Sequence, residues 1–259
     1  MKNKNTSVLV QGVDDAEFRQ TEDTRGIRRS TSPINRPQDL SINDPTYLHR
    51  VGLYRSMTRH AANIRGAVLD YGCGKRPYQQ LFVNYSSYVG ADVAENPEAD
   101  VFYQKGERVP LDDGSFDAVV STEVLQSVRD PEHYLGECRR LLRPGGILLL
   151  STHGFWCYLG DDRDWRRWTH RGLIYEIEKA GFRVVDLDAI CIRRAFLCQF
   201  INIMIVSRLV QKRAIKPLGR GLAQIFNRIG NLYPAEILSC SAARQSHLAI
   251  VYLVVAVAN

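Results

Sequence analysis

The chain has 259 residues, 45% of them apolar and 24% charged, with a formal net charge of +6. That suits one α/β domain with additions, and both fractions are ordinary for a soluble globular protein. The charge is uneven: residues 1–65 carry 11 Lys/Arg against 7 Asp/Glu, 66–189 carry 14 against 20, and 190–259 carry 9 against 1. An acidic middle with a basic tail is not the footprint of a nucleic-acid-binding domain. The six cysteines, at 73, 138, 157, 191, 198 and 240, form no C-x-x-C pair and no zinc spacing, so they read as small buried hydrophobes.

The opening residues, MKNKNTSVLVQGVDD, lack the apolar run of a secretory signal, which predicts a reducing cytoplasm. Residues 1–44 are polar and interrupted by Pro33 and Pro37, and they read as a flexible arm. In TYLHRVGLYRSMTRHAAN, residues Leu48, Val51, Leu53, Tyr54 and Met57 fall near helical spacing and predict a lead-in helix. From 67 onward, short apolar runs alternate with helical stretches. Strands are expected at 67–71, 88–92, 118–121, 147–151 and 182–187, and HLAIVYLVVAVAN reads as a closing strand. Asp130 and Pro131 open a helix that stops before Gly145, and Thr169 caps another that stops at Gly181. This rhythm predicts a doubly wound, mostly parallel sheet with helices on both faces. The domain reading is an arm at 1–44, a core at 45–189, a helical basic insertion at 190–246 and a closing strand at 247–259.

The stretch VLDYGCGKRPY, residues 68–78, sets an acid at a strand end before two glycines one residue apart. A strand, a glycine turn and a helix together bring backbone N–H groups to a ligand. A dinucleotide loop would need a third glycine at 77, where Pro77 stands, so a ligand without a pyrophosphate fits better. The next strand ends in Asp92, a position from which a carboxylate can accept both hydroxyls of a ribose.

Two later segments, VPLDDGSFDAVVSTEVLQSV and LGECRRLLRPGGILLLSTH, complete a pattern that resembles the class I S-adenosylmethionine-dependent methyltransferases of the small-molecule kind. The likeness covers about residues 66–188 and the closing strand. It implies a Rossmann-like sheet of seven strands, the last antiparallel, and S-adenosylmethionine as cofactor. It places Asp70, Gly72 and Gly74 at the methionine end, Asp92 at the ribose, and Ser121, Thr122 and Glu123 along the cofactor side. The pattern departs from the family at Val109-Pro110 and at Lys105, which stands where an adenine-contacting acid is usual. Gln126-Ser127 likewise replaces a Glu-His pair.

Residues 153–173, HGFWCYLGDDRDWRRWTHRGL, hold all three tryptophans and follow the fifth strand on the ligand-binding side of such sheets. They resemble a segment of methyltransferases found near bacterial polysaccharide genes. One reading is an acceptor lid with His153 as base and Asp164 and His170 behind it; the other is helix capping by Thr169 with an Asp164–Arg167 surface pair. The acceptor expected is a small molecule or saccharide methylated at oxygen, without a metal or nucleic acid. Three alternatives stand beside it: a non-catalytic binding module, a nicotinamide oxidoreductase, and an enzyme peripheral to the inner face of a membrane. In that last case residues 196–213 would lie on anionic lipid and the acceptor would be lipid-linked.

Overall fold

The computed structural model describes residues 40–93, 96–157, 164–240 and 248–259. The chain enters through helix α1 (Tyr47–Ala61), and strands β1 (Arg65–Tyr71), β2 (Asn84–Val93), β3 (Val101–Tyr103) and β4 (Phe116–Thr122) follow. Helix α2 (Pro131–Leu141) leads directly into β5 (Leu142–His153), and α3 (His170–Lys179) precedes β6 (Phe182–Ile192). The helical insertion comprises α4 (Arg193–Ile201), a π turn (Asn202–Val206), α5 (Ser207–Gln211), α6 (Lys216–Asn231) and α7 (Pro234–Ile237). Strands β7 (Leu238–Cys240) and β8 (Ala249–Ala258) close the chain.

The described strands form one sheet in the order β3-β2-β1-β4-β5-β8-β6-β7. Pairing is parallel from β3 across to β5, and β8 runs antiparallel to both β5 and β6. The chain order reverses between β1 and β4, the switch point at which such sheets open a crevice beyond their carboxyl ends. Six of the strands fall where the sequence places them, and β3 makes up the seven that the resemblance implies. The short edge strand β7, antiparallel to β6, is an eighth.

Alternation along the central strands divides the core into two layers. Leu69, Val119, Leu148 and Leu150 face α2 and α3, where Leu135, Cys138, Leu173 and Ile177 meet them. Val68, Val120 and Leu149 face the other way, onto Leu48, Leu53 and Met57 of α1 and Ala195 of α4. The caps are those the sequence indicates: Asp130 accepts from the His133 amide at 3.0 Å, and the Thr169 hydroxyl accepts from Gly172 at 3.1 Å. At the opposite sheet end from the switch-point crevice, Asp117 accepts from the Ala67 amide and pairs with Arg143, a structural tie.

One expected element is missing. No α-helix follows the glycine turn; the link from β1 to β2 holds only a 3-10 turn, Gln79–Leu81. Arg76 has a left-handed φ of 51°, which breaks the run of right-handed helical dihedrals at that residue.

The basic insertion packs onto the core through polar side chains rather than apolar ones alone. Gln199 accepts from the His49 amide at 3.1 Å and donates to the Pro45 carbonyl at 2.7 Å. Asn202 donates to Asn227, whose own amide reaches the carbonyls of Ile42 and Asp44, each at 2.8 Å. Residues 40–44, read from sequence as part of the flexible arm, are therefore held against α6. The rest of that arm, residues 1–39, and positions 241–247 of the insertion lie outside the described residues.

Two glycines separate packing from helix propensity. A Cβ on Gly52 of α1 would stand 2.5 Å from the Ile190 side chain and 2.8 Å from the Ile237 carbonyl, whereas one on Gly221 of α6 meets nothing. Gly221→Ala should stabilise the protein by roughly 0.5–1 kcal/mol in denaturant unfolding. Gly52→Ala, with the same gain in propensity, should instead cost roughly 1–3 kcal/mol. Equal effects would mean that α1 does not seat this closely on β6.

Candidate functional site

Beyond β1, the backbone N–H groups of Gly72 and Cys73 both donate to the Ala91 carbonyl of β2, at 2.8 and 3.2 Å. This ties the turn across the strand ends. Gly72 has a φ of +78°, and a Cβ there would stand 2.5 Å from the Val124 side chain. It must be glycine on both counts. Gly74, at φ +52°, has open space where its Cβ would be, so the turn leaves room above it.

Two acids flank this turn. Asp92 accepts from the Gly74 amide at 2.9 Å and from the Asn96 side chain at 2.8 Å, and its other oxygen accepts from the Val93 amide. Asp70 is buried at 3% exposure; one of its oxygens accepts from the Tyr88 hydroxyl at 2.7 Å. Its other oxygen has no hydrogen-bond partner among the described residues. Burial drives the Asp70 carboxyl up to about 7, against the Tyr88 hydrogen bond and the charge of Arg76. Arg76 pairs with Asp100 at 2.7 Å and donates to the Glu98 carbonyl, its guanidinium lying over Gly90. The Lys-Arg-Pro sequence thus clamps the turn to the loop that leads into β3.

The end of β4 divides the three residues expected there. Ser121 is fully buried, its hydroxyl bonded to Tyr134 at 2.9 Å, and Tyr134 in turn donates to the Tyr71 carbonyl. Its side chain belongs to the core and does not line an opening. Thr122 is half-buried. Glu123 takes a left-handed φ of 55°, rare for a side chain of this kind, with its amide bonded to the Ser151 carbonyl and hydroxyl. Burial alone would raise the Glu123 carboxyl. The His153 imidazole, with His49 and Arg50, outweighs that and holds it down at about 2.

His153 ends β5 at 6% exposure, with Nε2 3.3 Å from Glu123 Oε1, an ion-pair contact off hydrogen-bond alignment. Its ring stacks on Trp156 at 4.6 Å and 11°, and its Nδ1 has no partner among the described residues. His49 of α1 meets the same indole edge-on at 4.7 Å, and its Nδ1 is likewise buried and partnerless. Burial pushes His49 down to about 4, so it is neutral at neutral pH. Sequence reasoning missed His49. Its only signal was an imidazole beside the apolar Leu48 in a helix, which usually marks a satisfied core histidine.

The other two candidate bases fall elsewhere. Asp164, 2% exposed at its side chain, is held bidentately by Arg167 at 2.5 and 2.8 Å. Arg167 also donates to the carbonyls of Trp156 and Cys157, so the pair is a strut for this loop. His170 begins α3, half-buried, and no hydrogen bond or ion pair joins it to the Glu123–His153 pair among the described residues. Residues 158–163, with Asp161 and Asp162, lie outside the described residues.

The raised Asp70 carboxyl carries a stability signature. Because its folded value lies above the ordinary 3.8, it stabilises the fold fully below about pH 4, and this is lost as pH rises through 7. Asp70→Asn keeps a neutral group at every pH. Between about pH 5 and pH 8 it should therefore gain roughly 1–3 kcal/mol on wild type in unfolding experiments. A constant difference would mean that Asp70 is ionised throughout.

Comparison with known proteins agrees with this architecture. A family model described as a methyltransferase domain matches residues 47–191. The ubiquinone biosynthesis O-methyltransferase of Dinoroseobacter shibae is 35% identical over 102 residues, 33% of this chain and 40% of that protein. A human thiol S-methyltransferase is 31% identical over 129 residues, 41% of this chain and 52% of that one. The chain thus spans about half or less of these two relatives. Among solved structures, the (4+2)-cyclase SpnF superposes with a TM-score of 0.52 at 21% identity, covering 81% of this chain and 80% of its own, a likeness of fold. With the family model spanning more than half of its length, the chain belongs to the class I S-adenosylmethionine-dependent methyltransferases.

Proposed function

We propose that this chain transfers the methyl group of S-adenosylmethionine to an oxygen of a small-molecule or saccharide-type acceptor, with His153 taking the acceptor's proton. The observation that carries this reading is the Glu123–His153 pair at the carboxyl ends of β4 and β5, with its neighbour Val124 packed against Gly72 of the glycine turn.

The residues present fit the cofactor. Asp70 offers a buried carboxyl oxygen with no partner, suited to an ammonium group, and the space above Gly74 is open. Asp70 and the turn at Gly72 and Gly74 would hold the methionine end. Asp92 would accept the ribose hydroxyls, releasing the Asn96 amide that it now binds. Thr122 and Glu123 would bound the cofactor side. When bound, S-adenosylmethionine supplies an electrophilic methyl group, and the protein's task is then alignment in a site without water.

An alcohol or phenol must shed its proton during attack, which an imidazole beside a carboxylate can receive. Glu123 lies on the Nε2 side of the His153 ring, which leaves Nδ1 as the nitrogen placed to accept. Burying Nδ1 without a partner costs free energy that an acceptor hydroxyl would recover. Trp156 gives an aromatic wall, edge-on to the neutral His49. A thiol acceptor, as in the name of the human relative, ionises more readily and has less need of such a base.

Calorimetry with S-adenosylmethionine and S-adenosylhomocysteine tests the cofactor half. Asp92→Ala should weaken both by about 10- to 100-fold, as expected for loss of charged hydrogen bonds. No binding to wild type would end this reading. For the chemical half, phenols and saccharides are screened for formation of S-adenosylhomocysteine. His153→Gln should then cut turnover by roughly 10²- to 10⁴-fold with cofactor affinity unchanged. Full turnover in that variant would remove His153 as the base.

A further inference from the structure

Helices α4 to α6 carry more exposed apolar surface than packing on the core requires. Leu218, Leu222, Ile225, Ile229 and Leu232 recur at intervals of four and three residues along α6. At 100° per residue they fall within about 80° of arc, one continuous stripe. Leu218, Ile225, Ile229 and Leu232 are 60%, 53%, 41% and 71% exposed. The helix cannot rotate to hide them. Its buried side is set by small residues in close contact: a Cβ on Gly219 would meet the Val210 amide at 2.8 Å, and one on Gly230 the Leu48 side chain at 2.5 Å. Asn227 is fixed on that same side by its bonds to the Ile42 and Asp44 carbonyls.

The preceding helices continue the pattern. Leu197 and Ile205 are 57% and 56% exposed. Beside them Phe196 and Phe200 stack at 5.9 Å, and both contact Phe155, two residues after His153. The loop that carries the proposed base is therefore packed on the helical insertion.

Charge decides what such a surface meets. Residues 190–231 hold eight Lys/Arg and no Asp/Glu. The one acid just beyond, Glu236, is engaged by Arg194 and is buried. An isologous contact with a second copy would set this cationic face against itself. An anionic lipid surface meets both features, with apolar side chains in the acyl boundary and Arg228, which flanks the stripe, at the headgroups. Among the described residues no single helix is long and apolar enough to cross a bilayer; the two halves of the insertion reach that length and apolarity only taken together, bent by 110°.

We infer that residues 193–232 form a docking surface by which the protein lies on an anionic membrane, with the exposed stripe of α6 as its principal apolar contact. This moves the lipid-facing segment from residues 196–213, where the sequence placed it, to include all of α6. The inference does not depend on methyl transfer, since docking is read without turnover.

The test is flotation of the full chain with vesicles of phosphatidylcholine alone, or of phosphatidylcholine mixed with phosphatidylglycerol. Recovery should be at least about tenfold higher with the anionic vesicles and should fall near 1 M salt, where screening shortens the reach of charge to about 3 Å. Arg228→Glu should weaken it severalfold, and Ile225→Ser with Leu232→Ser should abolish it. Both variants alter exposed positions, so thermal unfolding and S-adenosylmethionine titration should match wild type. Equal recovery on neutral and anionic vesicles, or none on either, would overturn the proposal. So would self-association in light scattering that the Ile225→Ser, Leu232→Ser variant abolishes, which would assign the stripe to a second copy.

Discussion

The close approach of Gly72 to Val124 is the contact on which the functional end of this sheet depends. It joins the turn after β1 to the turn after β4, the two strands between which the chain order reverses. A side chain at 72 would push Val124 away and move Glu123 with it. Glu123 already stands in a left-handed conformation, fixed by two bonds from its amide to Ser151. The same turn is buttoned to Ala91 of β2 and so sets where Asp92 stands. One glycine thus couples the position of Asp92 to that of the carboxylate beside His153.

The missing helix after β1 changes how an anion or a dipole would be met there. In sheets of this type a helix N-terminus aims its N–H groups at the ligand. Here the link between β1 and β2 holds only a 3-10 turn, after Arg76 in a left-handed conformation. What remains are the turn's own amides, and two of those already bond the Ala91 carbonyl. The side chains beside the turn are acceptors, Asp70 and Asp92, with Arg76 clamping the turn through Asp100. Arg76, within the Lys-Arg-Pro sequence that separates this chain from a dinucleotide loop, is thus also the residue that ties the turn to the loop before β3.

The strands and the two capped helices were legible in the sequence because buried parallel strands read as apolar runs, and Asp130, Thr169 and their trailing glycines are local signals. The acids at the ends of β1 and β2 were legible for the same reason: each interrupts an apolar run at its last residue. Strands β3 and β7 were not, since three residues carry no period. The inward turn of Ser121 was invisible too, because strand alternation fixes the face of a side chain but not the partner, Tyr134, that captures it. Asp164 reads as a candidate base only until Arg167 is seen to hold both of its oxygens. His49 escaped notice because its relevance arises from a contact between α1 and the loop after β5, more than one hundred residues away.

The distribution of unsatisfied polar atoms carries the argument a step further. Among the described residues, buried side-chain atoms without a hydrogen-bond partner include Asp70 Oδ1, Glu123 Oε1, His49 Nδ1 and His153 Nδ1. Folded proteins satisfy nearly all such atoms, because each one left unpaired costs on the order of 1–3 kcal/mol. Four of the eight such atoms lie at and beside the carboxyl ends of β1, β4 and β5; the other four are Arg76 Nε, His133 Nε2, Trp168 Nε1 and Asn202 Oδ1, the last in the contact that fastens the insertion. At Asp70 Oδ1 and His153 Nδ1, a bound cation and a proton donor would recover the free energy that an unpaired buried atom costs.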